Sequence, residues 1–204
     1  MTDNSEGNIT TQIAYGNKQW GLAAGYRYGQ CGARFRTGTE FALGDSYGTP
    51  CTVGDADERT NADSHSWSFH GFWSPEESGW MPSISAGVGA SYLNGNDAWK
   101  DNTNKRAMAS WMVGLTWNDV FLEGNALGYA VGQPQFVYEV ERGDVADGGY
   151  AMELWYSFQV TDNIKITPAV YWLSRPLGDN TQNVNGDYKS LGVFGGLVQT
   201  TFKF

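Results

Sequence analysis

The chain has 204 residues, with 27 glycines, 15% aromatics, only 17% charged residues and a net charge of −9. Such aromatic content excludes a disordered chain, and a pI near 4.6 argues against a nucleic-acid partner, which needs clustered Lys and Arg. Mean hydropathy is −0.43 and no stretch approaches the ~20 apolar residues of a spanning helix, which leaves an all-β sandwich, soluble barrel or outer-membrane barrel.

The opening MTDNSEGNITTQ has neither the basic nor the apolar region of a secretory leader. A period of two then begins. Segment 9–15 sets Ile9, Thr11, Ile13 and Tyr15 on one face. Segment 20–28 sets Trp20, Leu22, Ala24, Tyr26 and Tyr28 against Gly21, Ala23, Gly25 and Arg27. Segment 65–73 sets Trp67, Phe69 and Trp73 against Ser66, Ser68 and His70. Segment 83–92 sets Ile84, Ala86, Val88, Ala90 and Tyr92 against Ser and Gly. Segment 107–117 sets Ala109, Trp111, Val113, Leu115 and Trp117 against Met108, Ser110, Gly114 and Thr116. Segment 122–131 is weaker, with Leu127, Tyr129 and Val131 opposite Gly and Ala. Segment 150–160, YAMELWYSFQV, alternates throughout. Segments 164–173 and 191–204 complete nine predicted strands. Membrane-barrel strands need ~9–11 residues, whereas globular strands have ~5–6. The lengths favour a membrane barrel.

Short turns are expected at 16–18, 74–81, 118–121 and 161–163, and long polar loops at 29–64, 93–106, 132–149 and 174–190. Such alternation suits periplasmic turns and extracellular loops. Tyr15, Trp20, Trp73, Trp117, Phe158 and Phe204 then form one outward aromatic girdle, and Tyr28, Tyr92, Tyr150 and Trp172 the other. The competing reading is a secreted, soluble carbohydrate-binding β-sandwich that hides these aromatics in its core.

The runs PEESGWMPSISAG (75–87), GNALGYAVGQP (124–134), MELWYSFQVTDNIKITPAVYWLSRPLG (152–178) and GGLVQTTFKF (195–204) resemble the cyanobacterial members of the OprB carbohydrate-selective porin family, often described as iron-uptake porins. The resemblance implies an outer-membrane barrel of 16 strands. It implies passive diffusion of small solutes, carbohydrates or inorganic ions including iron. It further implies a signal peptide, an S-layer-homology domain gripping the cell wall and a coiled-coil spacer, none of which is expected within residues 1–204. A homo-oligomer, as a trimer, is the expected assembly.

On the barrel reading, parity gives one face to lipid and the other to a pore. The expected pore-lining residues are Arg27, Ser68, His70, Ser85, Ser110, Glu153, Trp155, Gln159, Lys165 and Tyr171. This small, hydroxylated face suits a weakly selective aqueous pore better than a tight sugar track. Asp55, Asp57 and Glu58 in loop 29–64, with Glu139 and Glu141 in loop 132–149, form either a cation-concentrating acidic mouth or a merely solvated loop. Loop 29–64 is long enough to fold inward as a constriction. Cys31 and Cys51 are expected to close a disulfide across it, the alternative being two unpaired thiols. Phe202 and Phe204 look like the carboxy-terminal signal read by the outer-membrane assembly machinery.

No catalytic motif appears, so no enzyme, metal or cofactor is expected. His65 and His70, five residues apart, point to opposite faces. Pro168 would mark a bulge, and Gly195-Gly196 would host another that moves Val193 and Leu197 off the pore face. With nine strands and the last ending in the periplasm, the chain is expected to be the carboxy-terminal half of a larger barrel and not to conduct alone.

Overall fold

The computed structural model describes residues 7–31, 38–39, 42, 62–77, 79–95, 105–141, 144–178 and 191–203. The strands are β1 (Asn8–Gly16), β2 (Trp20–Gly29), β3 (Ala62–Trp73), β4 (Ser83–Gly95), β5 (Lys105–Asn118), β6 (Ala126–Val140), β7 (Ala151–Thr161), β8 (Ile164–Ser174) and β9 (Gly192–Phe202). They form a single antiparallel sheet in sequence order, with β1 and β9 as its open edges. All nine expected strands are present.

Register carries each residue's parity from strand to strand. One row runs Ile13, Ala24, Phe69, Val88, Trp111. The adjacent row on the other face runs Gln12, Gly25, Ser68, Gly89, Ser110. One face is therefore aliphatic and aromatic, and the other small and polar. The apolar face is bare: Ile13 is 75% exposed, Phe69 59% and Val88 57%. Among the described residues no second sheet covers it, as a sandwich would require. An apolar surface this large needs a partner or lipid against it.

Connections at one end of the sheet are 17–19, 74–82, 119–125 and 162–163; at the other they are 30–61, 96–104, 141–150 and 175–191. The contrast in length rests on the connections after β2 and β8. The 74–82 turn is no shorter than 96–104, because β4 and β5 run further than their alternation suggested. We call the end bearing 30–61 the mouth.

Three features differ from expectation. First, β6 extends to Val140 and takes in residues expected in a loop. Its partners step from Trp111↔Gln133 to Ala109↔Phe136, so Pro134 and Gln135 together oppose one residue. That bulge inverts the alternation and ends the pattern legible from sequence. Second, Pro168 makes no bulge. The β7–β8 register is the same on both sides of it, from Trp155↔Ala169 to Phe158↔Ile166. The ladder merely skips, and Ser157 Oγ and Thr167 Oγ1 bridge the gap at 3.0 Å. Third, β9 pairs without interruption from Ile164↔Phe202 to Ser174↔Gly192. Gly195-Gly196 is therefore no bulge, and Val193 and Leu197 stay on the polar face.

The 119–125 turn shows how the end opposite the mouth is fastened. Asp119, Phe121 and Gly124 take positive φ values of 56°, 66° and 84°. Asn125 is 4% exposed. Its Nδ2 donates to Tyr156 Oη at 3.0 Å and its Oδ1 accepts from the Gln159 N–H at 2.9 Å. Tyr156 Oη in turn donates to the Val120 carbonyl at 2.7 Å. One amide thus ties the turn to β7. Asn125→Ala removes both bonds and leaves the part-buried Gln159 N–H without its partner, a loss of about 2 kcal/mol. Denaturant unfolding in detergent micelles measures it, and wild-type stability would contradict this account.

Candidate pore wall and mouth

The ten residues expected to line a pore all fall on the small, polar face. Arg27 stands opposite Ser66, Ser68 between Gly25 and Gly89, and His70 between Ala23 and Gly87. Ser85 stands between Phe72 and Gly114, and Ser110 beside Gly89. Glu153 lies between Ala130 and Tyr171, and Trp155 between Gly128 and Ala169. Gln159 faces Lys165, Lys165 faces Thr201, and Tyr171 faces Gly195. A cavity of about 890 Å³ is bounded by residues of six consecutive strands, from Ser68 on β3 to Tyr171 on β8.

Glycine shapes the wall. A Cβ on Gly128 would collide with the Trp155 indole, and one on Gly195 with the Tyr171 ring. At Gly21 it would meet Phe72 at 2.5 Å. Each ring therefore leans over a cross-strand glycine instead of standing across the cavity. Phe72 belongs to this set and was not anticipated, although it shares parity with Ser68 and His70.

Towards the mouth, Arg27, Ser66, Ser91, Ser110 and Gln135 border a smaller polar space of about 250 Å³. Gln135 Nε2 donates to Ser91 Oγ at 3.2 Å, and Ser91 Oγ donates to Ser66 Oγ at 2.9 Å. Gln135 reaches this face because of the β6 bulge, and no regular alternation would have placed it there. Above it the polar face turns apolar. Ala42, Ala62, Leu93, Met108 and Val137 form a buried cluster, with Cys31, Val140 and Val145 packed against it.

The opposite, apolar face carries His65. Its Nδ1 lies 2.7 Å from Tyr26 Oη and its ring stacks on Trp67 at 21°. Tyr28, Tyr92 and Trp67 surround it in an aromatic band near the mouth. His65 and His70 thus lie on opposite faces.

Of the acidic residues expected at the mouth, Glu139 and Glu141 are described. Arg106 sits between them, 3.5 Å from each carboxylate, and Glu139 is a strand residue rather than a loop residue. Asp55, Asp57 and Glu58 lie outside the described residues. Cys31 is disulfide-bonded; Cys51, the only other cysteine of the chain, lies outside the described residues. Phe202 ends β9 on the apolar face opposite Ile164, and Phe204 lies outside the described residues.

Residues 9–204 match the model of the carbohydrate-selective porin, OprB, family. An uncharacterized protein of Nostoc sp. (strain PCC 7120) is 31% identical over 188 residues, which make up 90% of this chain and 29% of that relative. The chain thus spans less than a third of that relative's length. No solved structure matches.

The flat packing of the wall rings is testable. Gly128→Val forces Trp155 off the wall and should cost roughly 1–3 kcal/mol, the usual penalty of overpacking. Urea unfolding in micelles reads the loss; unchanged stability would show that the indole is not held against Gly128.

Proposed function

Because the chain belongs to the OprB family of carbohydrate-selective porins, we propose that its nine strands are part of a closed, water-filled barrel in the outer membrane, through which small hydrophilic solutes diffuse passively. The observation that carries this reading is the division of faces that register carries from strand to strand across the sheet. An apolar outer face with aromatic bands suits lipid and its interfaces. The Ser- and Gly-rich inner face leaves room for water and offers hydrogen bonds. Among the described residues it holds no dense ladder of charges or upright rings, which suits weak selectivity. Carbohydrates are the family's named class of solute, and inorganic ions, iron among them, would share the same path.

Closure follows from the edges. Unpaired backbone groups cost several kcal/mol each in hydrocarbon, so β1 and β9 need partners there. Strand direction alternates along the sheet, so β1 and β9 both run away from the mouth. Joining them directly, or through a second copy, gives a parallel seam. An odd number of further strands gives a fully antiparallel barrel, as a total of sixteen would. On this reading the nine strands alone cannot seal a pore. Phe202 and Phe204 would present the signal for barrel assembly, and a Cys31–Cys51 bridge would restrain the connection after β2. The acids of that connection, five against three arginines, would favour cations at the mouth.

Planar-bilayer recording tests the proposal. The complete barrel should give ohmic steps that scale with bulk conductivity, and the isolated nine-stranded segment none. Steps from the isolated segment would contradict the need for further strands; silence from the complete barrel would overturn the pore.

A further inference from the structure

The apolar-face row of β3 changes character along its length. From the mouth downwards it reads Asp63, His65, Trp67, Phe69 and Gly71: a carboxylate, an imidazole, an indole, a phenyl ring and bare backbone. At ~3.3 Å per residue, His65 and Phe69 are on the order of 13 Å apart. A lipid molecule shows the same gradient from headgroup to acyl chain.

The upper part of the row is a polar cluster edged with rings. His65 Nδ1 lies 2.7 Å from Tyr26 Oη, and its Nε2 lies 3.6 Å from Asp63 Oδ1. That carboxylate oxygen accepts from Asn94 Nδ2 at 3.5 Å. Tyr28 and Trp67 flank the imidazole, and Tyr92 meets Trp67 edge-on at 71°. At the level of Trp67, β4 and β5 carry only Ala90 and Ala109, so the exposed indole stands beside a low floor. Rings bordered by hydroxyl, imidazole and carboxylate groups suit a sugar, whose C–H faces pack on the rings while its hydroxyls meet the polar edges. A phosphate would need cations. Among the described residues at this end, Arg27 lies on the polar face and Lys105 is buried. Arg106 is held by Glu139 and Glu141, and Arg175 donates to backbone carbonyls.

Directly below the cluster, an apolar depression of about 670 Å³ crosses β1 to β5. Ile13, Leu22, Ala24, Phe69, Val88 and Trp111 border it, and Gly71 and Ala86 keep its floor low. It continues the lipid-facing surface and offers an acyl chain a seat in line with the cluster.

We propose that the His65 cluster and this groove together bind one lipid of the outer leaflet, with an uncharged sugar headgroup at Trp67 and His65 and an acyl chain between Phe69 and Trp111. The site takes its orientation in the membrane from the barrel reading above.

The test extracts the complete barrel in mild detergent from vesicles holding glucosyl diacylglycerol and phosphatidylglycerol in equal amounts, and counts retained lipid by native mass spectrometry. Heat-modifiable gel mobility confirms that each variant has folded. Planar-bilayer conductance, which a site on the exterior leaves unchanged, tests the pore separately. Wild-type protein should retain the glucosyl lipid in preference to phosphatidylglycerol. His65→Ala, Trp67→Ala and Ala86→Phe, the last filling the groove and leaving the cluster intact, should each lower retention by about tenfold or more. Trp172→Ala, in the aromatic band on β8 but outside the cluster, should not. Equal retention of both lipids, a preference for phosphatidylglycerol, or an equal loss in Trp172→Ala would overturn the site while a conducting barrel keeps the pore reading intact. A lipid-free oligomer broken by Ala86→Phe would give the face to a second copy and overturn the site as well. Wild-type protein that does not conduct would overturn the pore reading and the orientation of the site with it.

Discussion

The two-residue period of the β-strand is the constraint from which the rest of this structure follows. A register slip of one residue would send every side chain of a strand to the wrong face. Cross-strand pairs hold Ile13, Ala24, Phe69, Val88 and Trp111 in one row and Gly25, Ser68, Gly89 and Ser110 in the next. Each row is chemically uniform although its members come from different strands. Serine opposite glycine recurs on the polar face because two larger side chains would crowd the closely spaced cross-strand positions. Where a ring appears there, as at Trp155 or Tyr171, it leans over a glycine on one of its two neighbouring strands.

The sheet was legible in the sequence because alternation sustained over nine to eleven residues rarely arises outside a strand with two unlike faces. The parity of Arg27, Ser68, His70, Ser85, Ser110 and the β7–β8 residues could be read the same way. Legibility stopped where period two stopped. The bulge at Pro134-Gln135 exchanges the faces of β6, so its last residues looked like loop, and Gln135 and Val137 were missed. Proline and paired glycines misled in the other direction. Pro168 and Gly195-Gly196 carry the composition of bulges, yet neighbouring strands hold both in register. Composition states what a backbone can do, and pairing decides what it does. Phe72 could have been found by parity alone, since it alternates with Ser68 and His70.

The mouth obeys different rules from the wall. Below it, polar residues of one strand meet those of the next through short cross-strand bonds, as Gln135, Ser91 and Ser66 do. Above it, a small apolar cluster and a few backbone bonds to side chains replace the ladder. Thr39 Oγ1 donates to Asp147 Oδ2 across 108 positions of sequence, and no local pattern links the two. Leu93 and Met108 did carry a signal, as apolar residues on a polar parity, but a signal of that kind says only that something covers them.

The central claim is that adjacent residues of one strand face different solvents. Cysteine scanning along β4 in native outer membranes tests it most directly. Ser85→Cys and Gly87→Cys should react with a membrane-impermeant, water-soluble thiol reagent, whereas Ala86→Cys and Val88→Cys should resist it and yield to a lipid-soluble one. Uniform reactivity along the strand, or the opposite alternation, would contradict the account.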